Sequence, residues 1–450
     1  MKSIQEFVQQ VQNKEIDIVE HIYKVIEEAK KIDKTYNYFT TISDDLAIKQ
    51  AKEIKKNPKG KLAGIPLSVK DSICVKDVET RAGSQILSSY IPPFNATVIE
   101  KCIKEGAIII GKTTQDEFGM GTFSINTYKI PRHPFDKERS TGGSCGGCAG
   151  YTQITKFPHL SLAESTGGSI AVPAAFCGVA GLTPTYGLVS RYGLIDYASS
   201  LDKIGSMARE PQDTFFLLNI IKGHDPKDST SLNLEEPKDK EVKKMAFIEE
   251  TEGVNEKFTK LIEKKLPNIE RVSIPSIKKH ALPAYHIIAF SEASTNLAKY
   301  SGLRYGQSEN LESNYREYFS KVRSKYFEKE TKRRIILGTF ARMAGFREAH
   351  YLKAMKVRTL IINEYQRALK KYDILISPTT VTSALKFSEI EKLTPLQQYQ
   401  MDILTVAPNL AGLPHISINI GSIDQLPVGM MVTTNLLNEN KLSRFVNTIK

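Results

Sequence analysis

Apolar residues recur three and four positions apart at the start of the chain. Ile4, Phe7, Val8 and Val11 share one helical face, and Ser3-x-x-Glu6 before them is a capping box. Asp17-x-x-Glu20 opens a second helix, striped by Ile18, Ile22, Val25, Ile26 and Ala29. The two helices are expected to cap the main domain, with a partner-docking role as the alternative. YNYFTTI, near 36–42, reads as a strand and DDLAIKQAKEIKK as a helix, and Asn57-Pro58-Lys59-Gly60 makes a turn.

From Gly64 strands and helices alternate. The run IPLSV (65–69) reads as a buried strand closed by Lys70. A helix from about Thr97 ends at Gly106, a natural C-cap, and Ala107–Ile110 is a further buried strand. MAFI (245–248) and YDILISPTT (372–380) are also strands, separated by a long basic helical region at roughly 310–371. The Asp-, Lys- and Pro-rich segment 222–244 reads as a surface connection and not as a domain boundary. The alternation predicts an α/β fold with a mixed, mostly covered sheet.

Composition narrows the class. At 450 residues, 41% apolar and 25% charged, the chain reads as soluble and globular, long enough for one large α/β domain or two ordinary ones. No apolar run approaches the length that spans a membrane. MKSIQEFVQQVQ lacks the apolar core of a signal peptide, so a cytoplasmic location is expected. The net charge of +12 is spread along the chain, as solvated surface lysines would spread it. Direct nucleic-acid contact is the competing reading.

An odd count of five cysteines without a secretion signal implies reduced thiols. Cys145-Gly-Gly-Cys148 has the spacing of a redox pair or half a zinc site. Neither a second such pair nor a histidine pair completes a set of four ligands, so no metal is expected.

The chemistry concentrates in Ser140–Ser190, which holds two glycine-flanked serines, Ser144 in GGSCGG and Ser169 in STGGSI. Glycine-rich loops turn backbone N–H groups toward negative charge, and a serine inside one has oxyanion donors beside it. Serine needs a base to become a nucleophile. His133 and His159 have no obvious carboxylate partner, and the other known solution is a lysine base. Lys70, at the end of its apolar run, fits that role.

GIPLSVKD, GGSCGG, STGGSI, PAAFCGVAGL and PTYGLVSRYG together resemble the amidase signature family, over roughly residues 60–200. The resemblance implies one domain over 1–450 built on a large mixed central sheet covered by helices on both faces. Within it, 1–56 is an N-terminal helical part, 60–200 the signature core, and 280–450 the substrate-specificity and C-terminal part. It also implies a Ser–Ser–Lys triad that cleaves carboxamides. Ser169 is then the nucleophile, Ser144 a proton relay held by a cis peptide bond, and Lys70 a base that burial and hydrogen bonds keep neutral. Thr166, Gly167 and Gly168 offer backbone N–H donors for the oxyanion, and one such donor is worth about 3–4 kcal/mol of barrier.

The family commonly reads Ser-Asp-Thr-Gly-Gly-Ser-Ile-Arg where this chain has Glu164-Ser165-Thr166-Gly167-Gly168-Ser169-Ile170-Ala171. Cys145 and Cys148 stand where it usually has serines. These departures bear on loop geometry and rate.

FSEASTNLAKYSGLRYG (290–306), KRRIILGTFARMAG (332–345), KVRTLI (356–361) and MDILTVAPNLAGLPHISINIG (401–421) are similar to the glutaminase subunits of tRNA-dependent amidotransferases. That branch implies glutamine as substrate, with Asp402 on its α-ammonium and Arg334 on its α-carboxylate. Arg333 competes for the second role, and Tyr300, Tyr305 and Asn409 line the site or pack beside it. It also implies two partners, one a large kinase/transamidase subunit, the other small and belt-like. ATP and Mg²⁺ would serve the large partner, since this chain has no P-loop, and tRNA contact would be mostly indirect. The alternatives are a freestanding amidase on small carboxamides and a catalytically weakened scaffold.

Overall fold

The apolar runs of the sequence become strands of one sheet. The computed structural model describes residues 3–234, 237, 241–311 and 314–449. Residues 235, 236 and 238–240 of the expected 222–244 connection lie outside the described residues, as do 312 and 313 of the basic helical region.

The strands are β1 (Phe39–Ile42), β2 (Pro66–Lys70), β3 (Ile108–Thr113), β4 (Leu160–Ser165), β5 (Ala180–Thr183), β6 (Lys203–Ala208), β7 (Met245–Ile248), β8 (Glu270–Val272), β9 (Ile374–Pro378), β10 (His415–Ile423) and β11 (Leu426–Thr434). They form an 11-stranded sheet ordered β1-β3-β2-β4-β6-β5-β10-β11-β9-β7-β8. Strands β3, β2 and β4 run parallel, as do β9, β7 and β8, and antiparallel pairs join the two groups. The sheet is therefore mixed, as expected.

Helices cover both faces. Along β7, Phe247 enters one hydrophobic core while Ala246 and Ile248 enter a second; along β9, Ile374 and Ile376 take the first and Leu375 the second. Successive strand residues point to opposite faces, so the two cores lie on opposite sides of the sheet. The first core takes the N-terminal helices Ile4–Gln12 and Ile18–Tyr36. The second takes Leu282–Asn296, Tyr315–Tyr326 and Lys353–Lys371. Strands β2, β3, β4 and β6 are buried along their whole length, as expected where helices cover both faces.

Local signals account for the helix ends. Glu6 N donates to Ser3 Oγ at 3.1 Å and Ser3 N to Glu6 Oε2 at 2.9 Å, a complete capping box. Asp17 Oδ1 accepts from Val19 and Glu20 N–H. Gly106, at φ +87°, follows the helix Thr97–Lys104 and leads into β3. Two boundaries differ from expectation. The strand expected from residue 36 starts at Phe39, because the preceding helix continues to Tyr36 before Asn37 turns left-handed. The basic helical region contains three α-helices, Tyr315–Tyr326, Lys329–Arg342 and Lys353–Lys371. Among the described residues no helix is long and apolar enough to cross a membrane.

Candidate active site

Parallel pairing of β2 with β4, in the register Val69↔Leu162, carries Lys70 alongside Glu164. Lys70 Nζ donates to Ser144 Oγ at 2.8 Å, to Glu164 O at 2.9 Å and to Glu164 Oε2 at 2.8 Å. The Gly143–Ser144 peptide is cis, and its loop leads into the helix Gly146–Ile154. Cys145 N donates to Ser169 O at 3.3 Å, which ties the two serine loops together. Lys70 and Ser144 are fully buried, and Ser169 keeps 7% of its surface open. The structure thus bonds Lys70 to Ser144 and sets the backbone of Ser169 against the residue that follows Ser144.

The charge on Lys70 departs from expectation. Burial lowers its pKa, but the neighbouring Cys145 and Glu164 raise it more, and the net direction is upward from 10.5. Burial pushes the Cys145 thiol well above 9, so Glu164 is the acid paired with Lys70. The three acceptors around Nζ match the donors of an ammonium, whereas burial alone favours the neutral amine anticipated from the sequence.

The loop before Ser169 is held from behind. Asn409 Nδ2 donates to Gly167 O, Ser165 Oγ donates to the same carbonyl at 3.0 Å, and Val172 N donates to Gly168 O at 2.8 Å. The N–H groups of Thr166, Gly167 and Gly168 donate to no group among the described residues. They are free to meet an oxyanion, and the helix Ala171–Cys177 begins two residues after Ser169.

Asp402 and Arg334 come to the same region from distant elements. A Cβ placed on Gly168 would lie 3.0 Å from Asp402 Oδ1, so this carboxylate abuts the residue before Ser169. Its Oδ2 accepts from Thr122 Oγ1 at 2.8 Å, while Oδ1 is buried with no partner. Burial raises the Asp402 pKa to about 7, opposed by the Thr122 hydrogen bond and the Arg334 charge. Arg334 is buried on the helix Lys329–Arg342. Its Nε donates to Glu330 Oε1 at 2.7 Å and its Nη1 to the Tyr197 hydroxyl at 2.9 Å, and the rings of Phe290 and Tyr399 flank the guanidinium. Arg333, half-buried, pairs with the same Glu330 carboxylate. The two arginines that sequence left open differ in burial, Arg334 being enclosed and Arg333 half-open. Tyr300 packs on Phe118 and against Tyr305, as part of the second core.

Glu164 is the residue that sequence reasoning passes over. In the sequence it stands out only as a departure from the family's usual serine. The signal available is an acid inside an otherwise uncharged run, LSLAES, paired with a strand ending in lysine. Ser165 fastens the loop carbonyl of Gly167, and Ala171 is buried in the helix start. All five cysteines are free and buried. Cys145 Sγ donates to Glu164 O at 3.0 Å, and Cys148 Sγ lies 2.9 Å from Thr113 Oγ1. No group of three or more His, Cys, Asp or Glu that could hold a metal occurs among the described residues. His133 bonds to Phe176 O, His159 to Ser68 and Thr152, and burial lowers the pKa of both.

The amidase family model matches residues 20–442. The chain is 46% identical over 432 residues to the A subunit of glutamyl-tRNA(Gln) amidotransferase from Archaeoglobus fulgidus, covering 94% of this chain and 93% of that one. It is 42% identical over 468 residues to the protein of the same name from Trichodesmium erythraeum, covering 98% and 96%. The crystal structure of the corresponding A subunit from Thermotoga maritima matches with a TM-score of 0.79 and 33% identity, over 98% of this chain and 93% of that one.

Proposed function

The chain belongs to the amidase family, and from that premise we propose that it is the glutaminase subunit of a tRNA-dependent amidotransferase. The observation that carries the choice of glutamine is the buried Asp402 carboxylate with an unpartnered Oδ1, against Gly168, within the field of the buried Arg334. An α-amino acid presents an ammonium and a carboxylate together, and such a pair of opposite buried charges is its complement. A simple amide needs neither.

Ser169 Oγ attacks the side-chain carboxamide carbon as its proton passes to Ser144 and the proton of Ser144 passes to Lys70, which accepts it as the neutral amine. The tetrahedral oxyanion is met by N–H groups of residues 166–168. On collapse the protons return by the same route to the leaving nitrogen, which departs as ammonia, and a γ-glutamyl ester remains on Ser169. Water then hydrolyses the ester to glutamate.

The relatives are named as subunits, and the natural consumer of the ammonia is a partner that amidates a glutamyl or aspartyl group on tRNA. We place ATP and Mg²⁺ on that large subunit, with a small belt subunit between, and give this chain mostly indirect contact with tRNA. The test is ammonia release from glutamine by the chain alone and with its partner subunits, ATP and misacylated tRNA. Release that rises on assembly and is lost in Ser169→Ala supports the proposal. Equal turnover of many amides by the isolated chain makes it a freestanding amidase, and no release in the assembled state leaves a scaffold.

A further inference from the structure

The three acceptors around Lys70 Nζ, all within 2.9 Å, match the three donors of an ammonium. Lys70 is closed off from water and Glu164 nearly so, at 0% and 4% side-chain exposure. A neutral amine in this cage has no donor to meet its lone pair while Glu164 and Ser144 keep these roles.

Beyond Glu164 the network continues. Thr166 Oγ1 lies 3.0 Å from Glu164 Oε1 and 2.8 Å from Asp202 Oδ1. A hydroxyl has one proton, so it donates to one of these carboxyls and accepts from the other. The carboxyl it accepts from must be protonated. Burial, then the charge of Glu164, pushes Asp202 well above the usual carboxylate range, which favours Asp202 as the donor and leaves the Thr166 hydroxyl donating to Glu164 Oε1.

We propose that Glu164 is a positioning residue for the lysine base: it holds Lys70 as an ammonium at rest and takes one proton from Nζ when the amine must act. The inference rests on the Ser–Ser–Lys reading above and deepens it. One N–H bond of the ammonium breaks and an O–H bond forms on Glu164 Oε2, so an amine and a carboxylic acid replace the ion pair. The amine turns about its Cε–Nζ bond and takes the Ser144 proton, while Ser144 takes that of Ser169 and Ser169 Oγ bonds to the carbonyl carbon. On collapse Lys70 returns a proton through Ser144 to the departing nitrogen. Glu164 then returns its proton to Lys70. No atom or electron is gained from outside.

The other ionisable groups facing the pair are Cys145 and Cys148 on the Ser144 side, Asp202 beyond Thr166, and Asp116, whose carboxyl burial raises to about 6 and which feels the Lys70 charge. All are kept in the variants compared.

The experiment measures kcat/KM against pH for wild type, Glu164→Gln and Glu164→Asp on a simple primary amide, whose profile does not carry the Asp402 titration, and in parallel on glutamine. In Glu164→Gln the acid limb should move up by about one pH unit or more, because only unassisted loss of the lysine proton then supplies the base. Activity at pH 7 should fall about tenfold or more, with a loss that shrinks as pH rises and KM unchanged. Glu164→Asp should recover part of the displacement. A loss of the same factor at every pH, or a wild-type profile, overturns the proposal. Should Glu164→Gln not fold, Glu164→Ser, which carries the family's usual residue, takes its place with the same expectations. The ¹³Cε shift of Lys70 gives a readout independent of turnover: it should titrate at lower pH in the variant, and an unchanged titration overturns the proposal. Wild-type activity on the simple amide but not on glutamine would count against the glutaminase reading and leave the Glu164 comparison intact.

Discussion

Asp402 Oδ1 and Gly168 stand so close that a Cβ on the glycine would come within 3.0 Å of the carboxylate, and within 2.6 Å of Thr405 Oγ1. Asp402 and the loop before Ser169 are thus in contact, although 234 positions separate residues 402 and 168 in the chain.

The Asp402 carboxyl has opposite effects on function and stability. Its ordinary pKa of 3.8 rises to about 7 in the fold, chiefly through burial. Between those values the folded chain binds a proton that the unfolded chain does not, so this group's contribution to stability falls as pH rises from about 4 to about 7. Asp402→Asn should therefore be more stable than wild type at pH 8, by about 1–4 kcal/mol, with the difference closing below pH 4. Thermal or denaturant melts across pH check this. Glutamine kcat/KM should meanwhile drop by about tenfold to a hundredfold in the variant, as for loss of a charged hydrogen bond, with simple amides spared. In wild type, kcat/KM for glutamine should fall as pH drops through about 7, where the carboxylate that would meet the ammonium is lost.

Arg334 and Arg333 should separate under the same mild substitution. Arg334 is enclosed by Glu330, Tyr197, Phe290 and Tyr399, and lysine cannot reproduce its forked donors. Arg334→Lys should raise the KM for glutamine by about tenfold or more. Arg333→Lys keeps the charge of a half-buried side chain at its pair with Glu330 and should leave KM near wild type. Steady-state kinetics of the two variants decides it.

Gly338 sets how closely the helix of Arg334 approaches its neighbour. A Cβ there would lie 1.8 Å from Phe290 O, inside the helix Leu282–Asn296. Residues 334 and 338 share one helix face, so the contact that needs glycine is also the one that seats the arginine. Gly338→Ala should cost about 1–3 kcal/mol in melting experiments and raise the KM for glutamine as the helix is pushed out.

Much of the fold is legible in the sequence, and the parts that are not have a common cause. The capping box of Ser3 and Glu6, the strand Met245–Ile248 and the apolar run closed by Lys70 are local patterns, and they fold as local chemistry dictates. Ser144 and Ser169 are visible because glycine-rich loops advertise themselves. Glu164 is not, because its meaning is a contact with a lysine 94 positions away, fixed by the pairing of β2 with β4. The charge of Lys70 escapes the sequence for the same reason: burial alone points down, and the neighbouring Cys145 and Glu164 oppose it. The arginine choice likewise needs the helix phase relative to Phe290 and Tyr399.

Cys145 reads as a serine substitute that hydrogen-bonds through sulfur to Glu164 O. A serine can make the same donation from a smaller side chain, so Cys145→Ser should keep turnover within a few-fold and cost about 1 kcal/mol of stability. Assay and melting of that single variant check both numbers.

The most direct measurement is to quench the enzyme in acid during glutamine turnover and locate any covalent adduct by peptide mass. The predicted result is one γ-glutamyl group, glutamine less ammonia, on the peptide holding Ser169, absent in Ser169→Ala and more abundant when the partner subunits are bound. An adduct on Ser144 or Cys145, or glutamine turnover that continues in Ser169→Ala, would contradict the assignment of Ser169 as nucleophile.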